Sequence, residues 1–163
     1  RKIPVLLEPV SVPKAARLSP LLAAGIGVHT MTPNLKQLEV LAQQTIGGTR
    51  QVRHAALALH DRGVTHVLIG LGAKGAALSS RSGDATVFQR IPPAAASARD
   101  VTGGGDALVA GYVAAVLKGT SPIGAAVFGQ AAAGIAVMAA STVSPQMDTR
   151  RVMRAAAILA RKL

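Results

Sequence analysis

The residues with the clearest chemical potential lie in one short segment, Asp100 to Asp106, which reads D-V-T-G-G-G-D. Three consecutive glycines let a backbone turn tightly and bring its N–H groups against a ligand. The uncharged Ala/Val/Leu run that follows, as far as Leu117, predicts a buried helix, and a helix N-terminus binds anions. Asp106 falls on the first turn of that helix. The spacing therefore predicts a carboxylate able to accept a proton beside N–H donors able to hold a phosphoryl group.

Composition limits the classes of protein to consider. With 163 residues, half of them hydrophobic, the chain is long enough for one domain with a core. It has no cysteine, which excludes disulfides and thiolate metal sites and suits a cytoplasmic protein. The uncharged run from Ser121 to Met147 is as long as a membrane span, but it is rich in Ala and Gly and is interrupted by Pro122 and Pro145. We therefore expect no membrane partner.

The net charge of +11 raises the question of nucleic-acid binding. Basic residues are spread along the chain, except for a group at the carboxyl end, and aromatic residues for base stacking make up only 2%. We expect a solvated helix face and no nucleic-acid partner. The four histidines share no metal-ligand spacing, so we interpret them as surface or packing residues; they are His29, His54, His60 and His66.

Hydrophobic periodicity predicts strands that alternate with helices, which is typical of an α/β protein with a mostly parallel sheet. In such sheets, ligands bind at the carboxyl ends of the strands. A dinucleotide-binding fingerprint is not expected, because the glycines come late in the chain and lack the acidic residue about 20 positions on. The predicted strands are 3–7, 28–30, 64–71, 76–79 and 85–91, and the predicted helices are 14–24, 34–42, 49–62, 105–117, 122–140 and 149–160.

The segment from Asp100 to Asp106 closely resembles the signature D-x-T-G-A-G-D of the ribokinase-like (phosphofructokinase-B) family of sugar and nucleoside kinases. The resemblance implies a three-layer α/β/α fold, with Asp106 as the catalytic base and the N–H groups of Gly103, Gly104 and Gly105 as an anion hole. Gly104 replaces the usual alanine, and we expect the lost methyl to loosen the turn without removing an N–H group.

Two further segments resemble family motifs in the right order. Thr32-Pro33-Asn34 resembles P-N-x-x-E, whose Asn and Glu arrange phosphate and Mg²⁺. Here Gln37 stands at the Glu position, where a neutral amide can still orient a water of the ion's shell. The turn from Leu71 to Gly75 resembles L-G-x-x-G, which places Gly72, Lys74 and Gly75 along the phosphates of ATP. Gly70 precedes it, where the family often has Thr or Ser.

The resemblance implies three more contacts. Thr102 is expected beside the nucleotide phosphates, and Gln130, in Phe128-Gly129-Gln130, is expected to border the adenine pocket, although a helix-packing role for Gln130 is nearly as well supported. Asp100 and Thr102 lie in the region that holds a monovalent cation, K⁺, in the family. The alternative for Asp100 is that it caps the turn.

Within the family, Glu8-Pro9-Val10-Ser11 with Lys14 points to pseudouridine kinases. The resemblance covers about the second half of such a kinase, so residues 1–163 are expected to form the carboxyl-terminal, nucleotide-binding part. The sugar-binding half and its β lid are expected to lie outside this chain, and a homodimer is compatible with the full-length protein.

The expected reaction is ATP-dependent phosphorylation of a ribose hydroxyl, the 5′-hydroxyl of pseudouridine. Two alternatives stay open. One is a ribokinase-like kinase with another sugar or nucleoside acceptor, and the other is a non-catalytic nucleotide-binding remnant, which Gln37 and Gly70 favour.

Overall fold

The computed structural model describes residues 3–95, 102–139 and 147–163. The chain groups into two compact units, residues 1–71 with 77–89 and residues 72–76 with 90–163. The elements in chain order are β1 (Leu6–Leu7), α1 (Val12–Ala16), α2 (Ser19–Ala23), β2 (Val28–Met31), α3 (Leu35–Ala42), α4 (Thr49–His60), β3 (Val64–Gly70), a 3₁₀ turn (Gly72–Lys74), β4 (Ala76–Ser82), β5 (Ala85–Ile91), α5 (Gly104–Val116), α6 (Pro122–Met138) and α7 (Thr149–Ala160).

The first unit contains nearly all of a five-stranded sheet with the strand order β1-β2-β3-β4-β5. Strands β1, β2 and β3 are parallel, with Leu7 opposite Met31 and Met31 opposite Val67. Five residues join β3 to β4 and two join β4 to β5, and connections this short between neighbouring strands require antiparallel pairing. The sheet is therefore mixed, with a parallel half that is followed by an antiparallel meander.

The core of the first unit lies between this sheet and helices α1, α2, α3 and α4. Residues such as Leu38, Leu59 and Val67 are fully buried in it. Gly63, with φ +88°, lets the chain turn from α4 into β3, because L-residues with side chains rarely adopt this conformation. The helix and strand predicted on either side of this glycine are present.

The prediction of one helix over residues 14–24 was wrong. The segment forms two five-residue helices, α1 and α2, and each has a proline in its first two positions. Pro20 has no N–H to donate and its ring clashes with the preceding turn, so it is compatible with a helix start but not with the interior of a longer helix. The apolar spacing across the segment was misread because Pro20 was not treated as a boundary.

The second unit contains α5, α6 and α7, packed in sequence. Helices α5 and α6 approach closely through glycines: a Cβ added at Gly111 would lie 2.9 Å from the Cα of Gly129, and one added at Gly129 would lie 2.5 Å from the carbonyl oxygen of Leu108. On the side of α7, Ala131, Ala132 and Val152 form a small apolar core.

Helix α6 was predicted to run to Ala140, a residue outside those described. No helix in the described parts of the chain has both the length and the hydropathy to cross a bilayer.

Two of the histidines form buried contacts in the first unit. The His60 ring bonds through Nδ1 to the Val64 carbonyl oxygen at 2.7 Å and through Nε2 to the Ser79 hydroxyl at 2.8 Å. His66 bonds through Nδ1 to the Ser80 hydroxyl at 2.8 Å, and its ring lies 4.8 Å from the His29 ring. These histidines fix helix α4 and strands β2 and β3 to their neighbours, which agrees with the packing role predicted for them.

Replacement of Gly129 tests the close approach of α5 and α6. We expect Gly129→Ala to lower the free energy of unfolding by about 2 kcal/mol, because the added methyl meets the backbone of Leu108 at 2.5 Å and that of Tyr112 at 3.1 Å. The measurement is chemical denaturation. Gly105→Ala is the matched control, because a methyl at Gly105 meets nothing within 4 Å; equal losses in both variants would contradict the packing.

The buried histidines predict a pH dependence of stability. Burial, followed by the charges of His29 and His60, lowers the pKa of His66 from 6.5 to about 4, and burial also lowers the pKa of His60, near which Arg81 and Asp61 carry charge. Because the unfolded chain binds the proton more readily, stability is complete above pH 6.5 and falls as the pH drops from 6.5 to 4. For His66 alone the loss is up to about 3 kcal/mol.

Denaturation curves between pH 7 and pH 4 measure this effect. His66→Asn should flatten the dependence in that window, whereas His54→Asn, at an exposed histidine, should leave it as in the parent chain. A slope in His66→Asn as steep as that of the parent would show that His66 does not cause it.

Candidate functional site

The glycine-rich turn forms an uncapped helix N-terminus in the second unit. Gly103 has φ +77° and ψ −6°, a left-handed conformation that glycine adopts without strain, and it precedes α5 as its N-cap residue. The first hydrogen bond of the helix runs from Ala107 N to the Gly103 carbonyl oxygen at 2.9 Å. Among the described residues, no side-chain cap bond is formed at this end. The N–H groups of Gly104, Gly105 and Asp106 therefore have no partner within the helix and are available to an anion.

Asp106 lies at the third position of α5 and is exposed, so its carboxylate is accessible to a ligand. Gly105 is also exposed, whereas Gly104 is buried. We refer to Gly103, Gly104, Gly105 and Asp106 as the α5 anion site. It combines N–H donors, the positive end of a 13-residue helix and a carboxylate within four residues.

The turn between β3 and β4 is shaped for close backbone contacts. Gly72 and Gly75 have φ +61° and +86°, and a Cβ at Gly75 would clash with the backbone of Ile91 and Pro92. Lys74 is exposed, and its carbonyl oxygen accepts a hydrogen bond of 3.3 Å from Arg90 Nη2. Conformation thus favours glycine at both positions, space requires it at Gly75 only, and the ammonium group of Lys74 is open to solvent.

The other predicted residues of the second unit have different environments. Gln130 is 7% exposed on α6, where it is surrounded by other buried residues of the helix. Thr102 is exposed just before the α5 anion site. Asp100 lies outside the described residues. The roles of Thr102 and Gln130 in nucleotide binding, and of Asp100 and Thr102 at a monovalent cation, stay predictions.

Asn34 and Gln37 belong to the first unit, where they form a reciprocal capping box at the start of α3. Asn34 Oδ1 accepts a hydrogen bond from Gln37 N at 3.0 Å, and Gln37 Oε1 accepts one from Asn34 N at 2.8 Å. Asn34 is thus the N-cap of α3, which agrees with the helix predicted to start at this residue. The capping box also gives Gln37 a structural task that an amide performs as well as a carboxylate does.

The sheet edge beside Asn34 gathers the ends of three parallel strands. Thr32 N donates to the Leu7 carbonyl oxygen and Gly70 N to the Pro33 carbonyl oxygen, each at 3.0 Å. Glu8, which directly follows β1, places an exposed carboxylate at this edge. Glu8 follows the half-buried strand β1 and Asn34 lies shortly after β2, so both are at the carboxyl ends of parallel strands, where ligands bind in sheets of this kind.

Asn34 and Gln37 are the residues predicted to arrange Mg²⁺. Gln37 is 3% exposed and its Oε1 already accepts a hydrogen bond, so the amide is poorly placed to contact the water shell of an ion. Among the described residues, no group of three or more carboxylates, histidines or cysteines could hold a metal. The described residues do not form a resident Mg²⁺ cage. An ion that arrives on the phosphates of a nucleotide would need few protein ligands.

Comparison with known proteins agrees with this arrangement of fold and motifs. The pattern of the pfkB family carbohydrate kinases matches residues 2–150. The chain belongs to this family, and its α/β fold is ribokinase-like.

The relatives include ribokinases and a pseudouridine kinase. The chain is 34% identical over 125 residues to the ribokinase of Haemophilus influenzae, an alignment that covers 75% of this chain and 40% of the relative. It is 26% identical over 151 residues to the pseudouridine kinase of Escherichia coli, covering 93% and 46% of the two chains. The structure of Arabidopsis thaliana ribokinase complexed with ribose and ATP superposes with a TM-score of 0.72 at 27% identity and covers 94% of this chain and 47% of that one. The chain thus spans less than half the length of these relatives.

The capping box predicts a specific effect of Asn34 on stability. We expect Asn34→Ala to lower the free energy of unfolding by about 1 kcal/mol, because Gln37 N loses its acceptor, while Asn34→Asp keeps most of the stability. Chemical denaturation at neutral pH measures both variants. Equal stability of the alanine and parent chains would contradict the cap.

Proposed function

We propose that the chain is the nucleotide-binding and phosphoryl-transfer part of an ATP-dependent kinase that phosphorylates a hydroxyl of a ribose-containing substrate. The observation that carries the proposal is the α5 anion site, in which an exposed carboxylate adjoins unpaired N–H groups at an uncapped helix start. Membership of the pfkB family supports the same reaction class.

In the proposed reaction, the acceptor hydroxyl gives its proton to Asp106 as its oxygen attacks the γ-phosphorus of ATP. The new bond joins the acceptor oxygen to the γ-phosphorus, and the bond between that phosphorus and the bridging oxygen breaks, so that ADP leaves. The N–H groups of Gly103, Gly104, Gly105 and Asp106 hydrogen-bond the phosphoryl oxygens as charge is redistributed. Mg²⁺ enters as part of the substrate, bound to the phosphates of ATP.

The phosphates of the nucleotide are proposed to extend from the α5 anion site towards the Gly72–Gly75 turn. Lys74, exposed on that turn, would neutralise phosphate charge. Asn34 would bind phosphate from its cap position, and Thr102 and Gln130 would contact the nucleotide. For the fuller protein, we propose K⁺ near Asp100 and Thr102, a homodimer and a cytoplasmic location.

For the acceptor we propose the 5′-hydroxyl of pseudouridine. The support is the segment from Glu8 to Ser11 with Lys14, together with the similarity to the pseudouridine kinase. The similarity to ribokinases favours ribose as the competing acceptor. Phosphorylation of pseudouridine, ribose, fructose 6-phosphate and adenosine, compared side by side in the longest protein that contains residues 1–163, distinguishes them.

A non-catalytic nucleotide-binding role is the second candidate. It is favoured by Gln37, whose amide replaces the family's carboxylate and is engaged with Asn34 N. This candidate predicts ATP binding without phosphoryl transfer to any of the four acceptors.

Asp106 provides the direct test of the reaction. We expect Asp106→Asn to reduce kcat by about 10²- to 10⁴-fold, because the amide cannot accept the hydroxyl proton, while the Kd for ATP changes little. Coupled assay of ADP release and calorimetric ATP binding measure the two quantities. Asp84→Asn, at an exposed aspartate in the β4–β5 turn, is the control for loss of one negative charge. Turnover in Asp106→Asn near the parent rate would disprove the assignment of the base.

A further inference from the structure

The first residue of α5, Gly104, is a buried glycine. The space beside it, where a side chain would lie, is occupied by a side chain from another helix. A Cβ built on Gly104 would lie 2.7 Å from Cγ1 of Val137, closer than real Cβ contacts come. A Cβ on the neighbouring Gly105 would meet nothing within 4 Å. The space beside the second glycine of the turn is therefore filled by a methyl group of α6, and the space beside the third is open.

Val137 cannot readily give way. It lies in the last turn of α6, and a β-branched side chain in a helix has one strongly preferred χ1 rotamer. Helix α6 cannot withdraw as a whole, because Gly111 and Gly129 hold α5 and α6 in backbone contact further along. The steric contact between Val137 and Gly104 thus limits how closely the first turn of α5 can approach α6, and so determines its position.

We propose that Val137 is a positioning residue for the α5 anion site: its Cγ1 methyl fills the space beside Gly104 and holds the first turn of α5 in place. The N–H groups of Gly104 and Gly105 then keep their direction in the absence of a ligand. The effect on nucleotide binding rests on the proposed function, whereas the effect on the turn itself does not.

The side chains at positions 104 and 137 then share one space, so the effect of changing one depends on the size of the other. Val137→Ala removes the filling methyls and frees the turn. Gly104→Ala adds a methyl where Val137 already lies and displaces the turn, even though alanine is intrinsically the better helix former. In the double variant, the alanine methyl at 104 enters the space that the shortened residue 137 leaves, so the turn regains its position.

The experiment is a double-mutant cycle on the chain of residues 1–163, with amide hydrogen exchange at residues 103–106, chemical denaturation and ATP binding as readouts. We expect each single variant to speed exchange at these amides and to raise the Kd for ATP by about tenfold, and the double variant to return within about threefold of the parent. Two independent effects that multiply in the double variant would overturn the proposal.

Two controls separate positioning from general loss of stability. Val127→Ala removes the same methyls from a buried valine elsewhere on α6; it should lower stability, leave exchange at residues 103–106 close to the parent value relative to global unfolding, and show no coupling to Gly104→Ala. Gly105→Ala adds the same methyl in open space and should not lower stability. Selective coupling to Val137 supports the proposal, and equal coupling to Val127 overturns it.

The cycle also separates this inference from the proposed function. If the parent chain binds no ATP, the proposed function fails, and hydrogen exchange with denaturation still decides whether Val137 holds the turn. If ATP binds and the exchange rates show no coupling, Val137 is excluded as a positioning residue while the nucleotide site stands.

Discussion

The second unit depends on the close approach of α5 and α6. Gly111 and Gly129 bring the two backbones into contact, and any side chain at Gly129 would collide with the Leu108 carbonyl oxygen at 2.5 Å. Close packing of this kind is sensitive to single methyl groups, since the interior has no spare volume to absorb them. Because α5 carries the proposed anion site at its N-terminus, the helix contact also positions those N–H groups. Rigidity of the scaffold and orientation of the donors have the same physical origin.

The helix starts divide into those that side chains satisfy and those left open. Ser11, Asn34, Ser121 and Asp148 each accept a hydrogen bond from the first turn of their helix. Helices α2, α4 and α5 have no such side-chain bond, and α5 is the one of these three that begins after a left-handed glycine. With glycine as its N-cap residue, the helix forgoes roughly a few tenths of a kcal/mol relative to a Ser, Asn or Asp cap. Such a cost is expected at a binding site, where a ligand supplies the missing acceptors.

Local signals in the sequence predicted most elements, because strand β5, helix α7 and the Asn34 cap each depend on residues close in the chain. The single helix over 14–24 was wrong because one proline outweighed the apolar spacing. For Gln37, the sequence showed that it stands at a metal-binding position of the family motif. The sequence did not show its hydrogen bond from Asn34 N, because that bond depends on the capping geometry. The contact of Val137 with Gly104 joins residues 33 positions apart, and no local pattern in the chain predicts which methyl fills which space.

That contact changes how the departure from the family signature is understood. From the sequence, glycine in place of alanine at 104 was expected to loosen the turn, because glycine has the greater backbone freedom. In the structure, Cγ1 of Val137 occupies the position next to the one an alanine methyl would take, at 2.7 Å. Glycine increases the conformational freedom of the backbone in the unfolded chain. The mobility of the turn in the folded chain is a different quantity, and packing determines it. A motif substitution of this kind is conservative when the lost volume is supplied from another helix, so its effect on function must be judged from the pair of residues.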